Sequence, residues 1–170
     1  TKTLIFNSSI VTSKQVKKLF EDAGFEIRHL DSTNNKQERR ETLEWFKETP
    51  TAIITSVGIL TTGFDEPTVE TIILNRATRS LTLYHQMVGR GSRKLEYKDQ
   101  FTIIDLGNNA RRLGLWQDYI DWQDVFVNPE RFLEHLVERE DRLDKGLMYV
   151  LPEEVKKNFK KEMEILKVGY

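Results

Sequence analysis

The chain has 170 residues, with 26 Lys+Arg, 27 Asp+Glu, three His and no Cys. That length admits one domain with an appendage, its 38% hydrophobic content supports a packed core, and the lack of cysteine excludes a disulfide framework, a Cys-based zinc site and thiol catalysis. A net charge of −1 argues against coating nucleic acid by bulk charge, no apolar run reaches the roughly 18 residues of a membrane span, and without a basic-then-apolar opening a cytoplasmic protein is expected.

Thr3 to Phe6 is a short apolar run ending in Asn7-Ser8-Ser9, the pattern of a buried strand feeding a polar loop. Val16, Leu19, Phe20 and Ala23 then recur at helical spacing, with Ser13 expected as N-cap and Gly24 as the stop. Phe25, Ile27 and Leu30 predict a second strand. Residues 35–48 predict a surface helix with Leu43, Trp45 and Phe46 on one side, closed by Pro50. Thr51 to Thr55, Val69 to Leu74 and Phe101 to Ile104 read as strands too apolar for a sheet with a wet face, and a helix is expected over about Leu81 to Val88. Strands alternating with helices predict an α/β fold with a parallel sheet, whose ligands gather at the carboxyl ends of the strands.

The charges are unevenly spread. Residues 1–115 carry 17 Lys+Arg and 14 Asp+Glu, residues 116–170 carry nine and 13. A boundary near Gly114 therefore separates a core module, residues 1–114, from an acidic helical extension, residues 115–170. In the extension, Trp116, Tyr119 and Trp122 are expected to pack in a core rather than stack on bases. Phe132, Leu133, Leu136 and Val137, and again Val155, Phe159, Met163 and Leu166, form amphipathic faces. His29, His85 and His135 lack ligand spacing, so no metal site is expected.

Two stretches carry chemistry. In Thr61-Thr62-Gly63-Phe64-Asp65-Glu66-Pro67, a glycine lets backbone N–H groups approach a ligand, and Asp65 can accept from a ribose hydroxyl or hold an arginine. A plain turn capped by Asp65 fits the same residues. In Tyr84-His85-Gln86-Met87-Val88-Gly89-Arg90-Gly91-Ser92-Arg93, helical geometry would project Arg90 and Arg93 from nearly one face, with Gln86 one turn before Arg90. Two such guanidiniums offer forked donors to phosphate oxygens. A solvated basic helix end fits as well.

In order and spacing, TTGFDEP, NRATRSLTLYHQ and QMVGRGSR resemble motifs V and VI of superfamily 2 (DEAD/DEAH-type) helicases, those of bacterial restriction and repair systems above all. TLIFNSSI at residues 3–10 is similar to the family's motif IV, and Arg39 lies in a stretch resembling its "eR…F" helix. Ala77 and Ser92 depart from the family pattern at positions that carry no phosphate chemistry. The resemblance covers roughly residues 1–110 and implies a RecA-like (P-loop NTPase-like) three-layer sandwich, with a C-terminal helical extension following it. It implies the second motor domain of an ATP-dependent nucleic-acid helicase or translocase, on DNA with RNA possible, joined to an N-terminal RecA-like ATPase domain. Arg90 and Arg93 would be catalytic arginine fingers. Gly63, Asp65 and Gln86 would join them at the nucleotide, and Asn7, Ser8, Ser9, Thr55, Ser56 and Val57 would meet the nucleic-acid backbone.

The GxxxxGK[ST] loop and acidic motif that such enzymes use for ATP and Mg²⁺ do not occur in the chain. The competing reading is a non-catalytic RecA-like regulatory or nucleic-acid-binding module. The isolated 170-residue chain is expected neither to hydrolyse ATP nor to hold Mg²⁺. Phosphate release from ATP by the purified chain would overturn this.

Overall fold

Thr3–Asn7 (β1) is buried at all five positions, so this strand can lie only in the middle of a sheet covered on both faces. The computed structural model describes residues 1–60, 64–132 and 134 and places β1 there. After it come α1 (Ile10–Asp22), β2 (Ile27–Leu30), α2 (Lys36–Glu48), β3 (Ile53–Ser56), β4 (Thr71–Asn75), α3 (Leu81–Val88), β5 (Thr102–Asp105), α4 (Asn109–Leu113) and α5 (Trp122–Val127). The sheet order is β2-β3-β1-β4-β5, and every pairing is parallel.

Because ladder partners share a face, the register sorts the side chains into layers. Ile5 pairs with Thr55 and Ile73, and Thr55 with His29. On this face Ile5, Ile27 and Ile53 pack against Val16 and Phe20 of α1. The opposite face carries Leu4, Phe6, Ile54, Ile72 and Leu74, all buried, and Arg28, whose guanidinium lies 4.2 Å from the Trp45 ring of α2. This is the expected α/β sandwich with its parallel sheet in the middle.

Local chemistry explains most boundaries. Asn35 and Glu38 form a reciprocal capping box at α2, and Ser80 caps α3 by accepting from the Leu83 N–H at 3.2 Å. Gly24 stops α1 at φ +85°. Two expectations need correction. Ser9 rather than Ser13 caps α1, accepting from the Thr12 N–H at 3.1 Å; Ser13 is buried one turn in, where its hydroxyl meets polar groups of the sheet. And β5 is not dry on both faces: it is an edge strand, with Ile104 41% exposed.

The chain divides into units of residues 1–120 and 121–170. In the first, Trp116 stacks at 6.3 Å on His85 and meets Phe101 edge-on, a packing role, whereas Tyr119 is 91% exposed, against expectation. In the second, the Asp121 carboxylate caps α5. Of the expected amphipathic faces, all but Phe132 lies outside the described residues.

The turn after β5 is held by one carboxylate. Asp105 accepts from the Gly107 N–H, the Asn109 side chain and the Ala110 N–H, while Asn109 also donates to the Arg76 carbonyl and accepts from the Thr78 N–H. This close approach leaves no room at Gly107, where a Cβ would sit 2.1 Å from the Arg76 carbonyl oxygen. Gly107→Ala is therefore expected to destabilise the domain by about 1–3 kcal/mol in denaturant unfolding.

Candidate functional site

α3 ends at Val88, with Gly89 as its C-cap. The Arg90 and Gly91 N–H groups still bond back to Met87 and Val88, but Arg93 lies beyond the helical turn. The two arginines therefore do not converge by helical phase, as their spacing had implied. They converge on a strip between β3 and β4: Arg90 Nη1 donates to the Phe64 carbonyl, and the Arg93 guanidinium pairs with the Asp65 carboxylate. Burial, reinforced by the nearby positive charge of Arg93, pulls the Arg90 pKa below its usual value, and Asp65 opposes the shift. The side chains of Arg93 and Asp65 are 46% and 63% exposed, so this ion pair is open to solvent and to exchange.

Gly91 explains why the turn can sit where it does. A Cβ there would meet Phe101 at 2.6 Å and Ile72 at 2.9 Å, so the backbone between the arginines lies directly on the sheet. Gln86 is half-buried on α3, and Gly63 lies outside the described residues. A buried lysine, Lys98, is bonded to the carbonyls of Pro67 and Gly91. No sequence pattern singled it out, because a lone lysine in a charged loop has no periodicity.

The other candidate residues gather at the carboxyl ends of the strands, Asn7 and Thr55 on the α1 face and Ser56, the ladder partner of Phe6, on the opposite one. Asn7 Nδ2 donates to Thr55 Oγ1 at 2.7 Å, and Asn75 Nδ2 donates to Asn7 Oδ1 at 2.8 Å. Thr55 Oγ1 and Ser13 Oγ are 2.8 Å apart, Ser13 Oγ is 2.8 Å from His29 Nδ1, and His29 Nε2 is 2.7 Å from Asp31 Oδ2. Asp31 in turn accepts from the Thr33 N–H and hydroxyl. One chain of hydrogen bonds thus crosses β4, β1, β3, α1 and β2 (Fully satisfied, such a buried network rigidifies the strands it joins).

Three of the residues expected at the nucleic acid are taken up inside this region. Asn7, Thr55 and Ser56 are buried, and the Ser56 hydroxyl donates to the Ile5 carbonyl. Ser8 is exposed, Ser9 is half-buried as the α1 cap, and Val57 is half-buried with its N–H bonded to Leu30. Ser13, His29 and Asp31 follow one another like a Ser–His–Asp triad. With Ser13 fully buried, however, no substrate can reach the hydroxyl, and the trio is structural. Among the described residues, no group of three or more His, Cys, Asp and Glu is placed to hold a metal ion.

Residues 1–94 match the helicase conserved C-terminal domain family. IRC3 of Saccharomyces cerevisiae, named an ATP-dependent helicase, is 30% identical over 154 residues, which take in 85% of this chain and 22% of that protein. The chain thus spans about a fifth of this curated relative. Among solved structures, an HsdR-type subunit of a type I restriction enzyme from Vibrio vulnificus YJ016 is 27% identical, with a TM-score of 0.59, over 71% of this chain and 26% of that one. The ATP-dependent type ISP restriction-modification enzyme LlaBIII, solved bound to DNA, is 31% identical, with a TM-score of 0.55, over 61% of this chain and 8% of that one.

The strand-end network has a pH signature. The Thr33 hydroxyl, against the opposing effect of burial and with help from His29 and the Thr33 N–H, holds the Asp31 carboxyl at about 2 rather than 3.8. A depressed carboxylate adds stability that is complete above its unfolded pKa and is lost as pH falls toward the folded value. Stability should therefore drop between about pH 4 and pH 2, and Asp31→Asn should flatten that part of the curve at a cost of about 2 kcal/mol near neutrality, read by unfolding at a series of pH values.

Proposed function

The chain belongs to the helicase conserved C-terminal domain family, and from that premise we propose that it is the second RecA-like motor lobe of an ATP-dependent DNA helicase or translocase. The observation that carries this reading is the gathering of Arg90 and Arg93 on the Phe64–Asp65 strip, separate from the polar strand ends. A motor needs two such regions, one for the nucleotide and one for the strand it moves.

In the proposed mechanism, ATP binds between this lobe and an N-terminal RecA-like lobe. Phosphoryl transfer to water spreads negative charge over the γ-phosphate oxygens, and forked cationic donors lower that barrier. Arg93 exchanges the Asp65 carboxylate for a phosphate oxygen. Arg90, held by the Phe64 carbonyl, supplies a second guanidinium, while Gln86, Gly63 and Asp65 complete the nucleotide contacts. Guanidinium donors fit phosphate and repel a cation, so the ligands of Mg²⁺ are assigned to the other lobe. Magnesium bound there would neutralise the phosphate oxygens.

Nucleic acid is proposed to cross the carboxyl ends of β1 and β3. The exposed Ser8 and the Ser9 cap would face backbone phosphates, Val57 would line the path, and the buried Asn7, Thr55 and Ser56 would hold this loop in place. Two of the solved relatives belong to restriction enzymes and one is bound to DNA, which supports DNA as the polymer.

In the protein that joins both lobes, Arg93→Ala is expected to lower kcat for ATP by about 10³-fold or more while ATP binding stays within about threefold. Steady-state turnover and equilibrium nucleotide binding check this, and retained turnover removes the finger assignment. Anisotropy titrations with single-stranded DNA and RNA of equal length test the polymer; tighter binding of RNA reverses that part of the reading.

A further inference from the structure

Lys98 is 6% exposed and has no part in the chemistry proposed above. Burying an ammonium is costly unless its donors are satisfied. Its Nζ donates to the Pro67 carbonyl at 2.8 Å and to the Gly91 carbonyl at 2.7 Å. Desolvation pulls its pKa below the usual lysine range, and the charges of Glu70 and Glu66 offset part of that. The backbone around it is also fixed, because the Lys98 N–H closes a turn on the Leu95 carbonyl.

Its two acceptors stand in informative places. Gly91 lies between Arg90 and Arg93, and Pro67 lies two residues after Asp65. Lys98 therefore bridges the same two segments that the arginines bridge, from the buried side. The Arg93–Asp65 pair cannot hold those segments together through a reaction cycle, since Arg93 must leave Asp65 to reach a phosphate. When it leaves, the hydrogen bond of Arg90 to the Phe64 carbonyl, the Gly91 packing on Ile72 and Phe101 and the Lys98 bridge remain, and of these only the lysine joins the two backbones through a buried side chain. Packing holds the turn down on the sheet, and the lysine sets its distance from the 64–67 strip.

We infer that Lys98 is a positioning residue for phosphoryl transfer, keeping the Arg90–Arg93 turn in register with the 64–67 strip while Arg93 moves between Asp65 and the nucleotide. This rests on the arginine-finger reading. Placement errors near 1 Å in such a group cost about 100-fold in rate, so the effect of losing the bridge should appear in kcat rather than in binding.

The test uses the protein that contains both lobes. Lys98→Met keeps the aliphatic stem and removes the donors. It should lower kcat for ATP by about tenfold or more, with KM for ATP and affinity for single-stranded DNA within about threefold. Lys98→Arg, which keeps cationic donors, should recover part of the loss. Added to Arg93→Ala, Lys98→Met should cost little more, because the lysine acts through that arginine. A wild-type kcat in Lys98→Met, or a loss equal in size on the wild-type and Arg93→Ala backgrounds, overturns the inference. If Lys98→Met and Lys98→Arg both fail to fold, the lysine is purely structural and the inference also falls. Turnover retained in Arg93→Ala instead rejects the finger reading itself.

Discussion

The central strand has no wet face. All five residues of β1 are buried, with β3 on one side and β4 on the other, so each polar atom at its carboxyl end must find a partner within the protein. Asn7 meets that demand by bonding Thr55 on one neighbour and accepting from Asn75 on the other. The ends of three strands are thereby fixed to one another, and Ser13, His29 and Asp31 extend the network to α1 and the edge strand. The exposed Ser8 and the α1 cap at Ser9 stand on this fixed base, a loop positioned by a rigid scaffold.

The arginine region is built on the opposite principle. Arg93 and Asp65 face solvent, and their ion pair holds a cation close to its expected place of action at little energetic cost. Beneath it the contacts are buried: Gly91 against Ile72 and Phe101, and Lys98 across two carbonyls. An exchangeable outer contact over a fixed inner one would suit the role proposed for Arg93, reaching a ligand repeatedly from one position. It is also compatible with a near-zero net charge and the polyanionic partner proposed above, because a few placed donors can do what bulk charge would otherwise do.

Much of this was legible in the order of the residues. Five strands and the three long helices follow apolar periodicity, with strand bounds displaced by one or two residues: the expected Thr51 to Thr55 is Ile53–Ser56, and Val69 to Leu74 is Thr71–Asn75. The displacement arises because pairing in the sheet, not apolarity, ends a strand. The α1 cap was misplaced because Ser9 and Ser13 are equally good caps by residue type, and only burial tells them apart. The GFDEP and GRGSR stretches were found by motif, yet the contact between them runs through a non-helical turn that spacing could not reveal.

Local order therefore settles which segments are strands or helices and which carry phosphate-binding residue types, because propensity, capping and periodicity act over a few neighbours. It cannot tell whether a polar side chain faces a ligand or the core. Thr55 and Ser56 were expected at a nucleic-acid backbone and are buried, and Lys98, which no pattern marks, is a buried bridge. Those outcomes depend on partners far away in the chain, Asn7 for Thr55 and Gly91 and Pro67 for Lys98, which become neighbours only when the parallel sheet closes around its central strand.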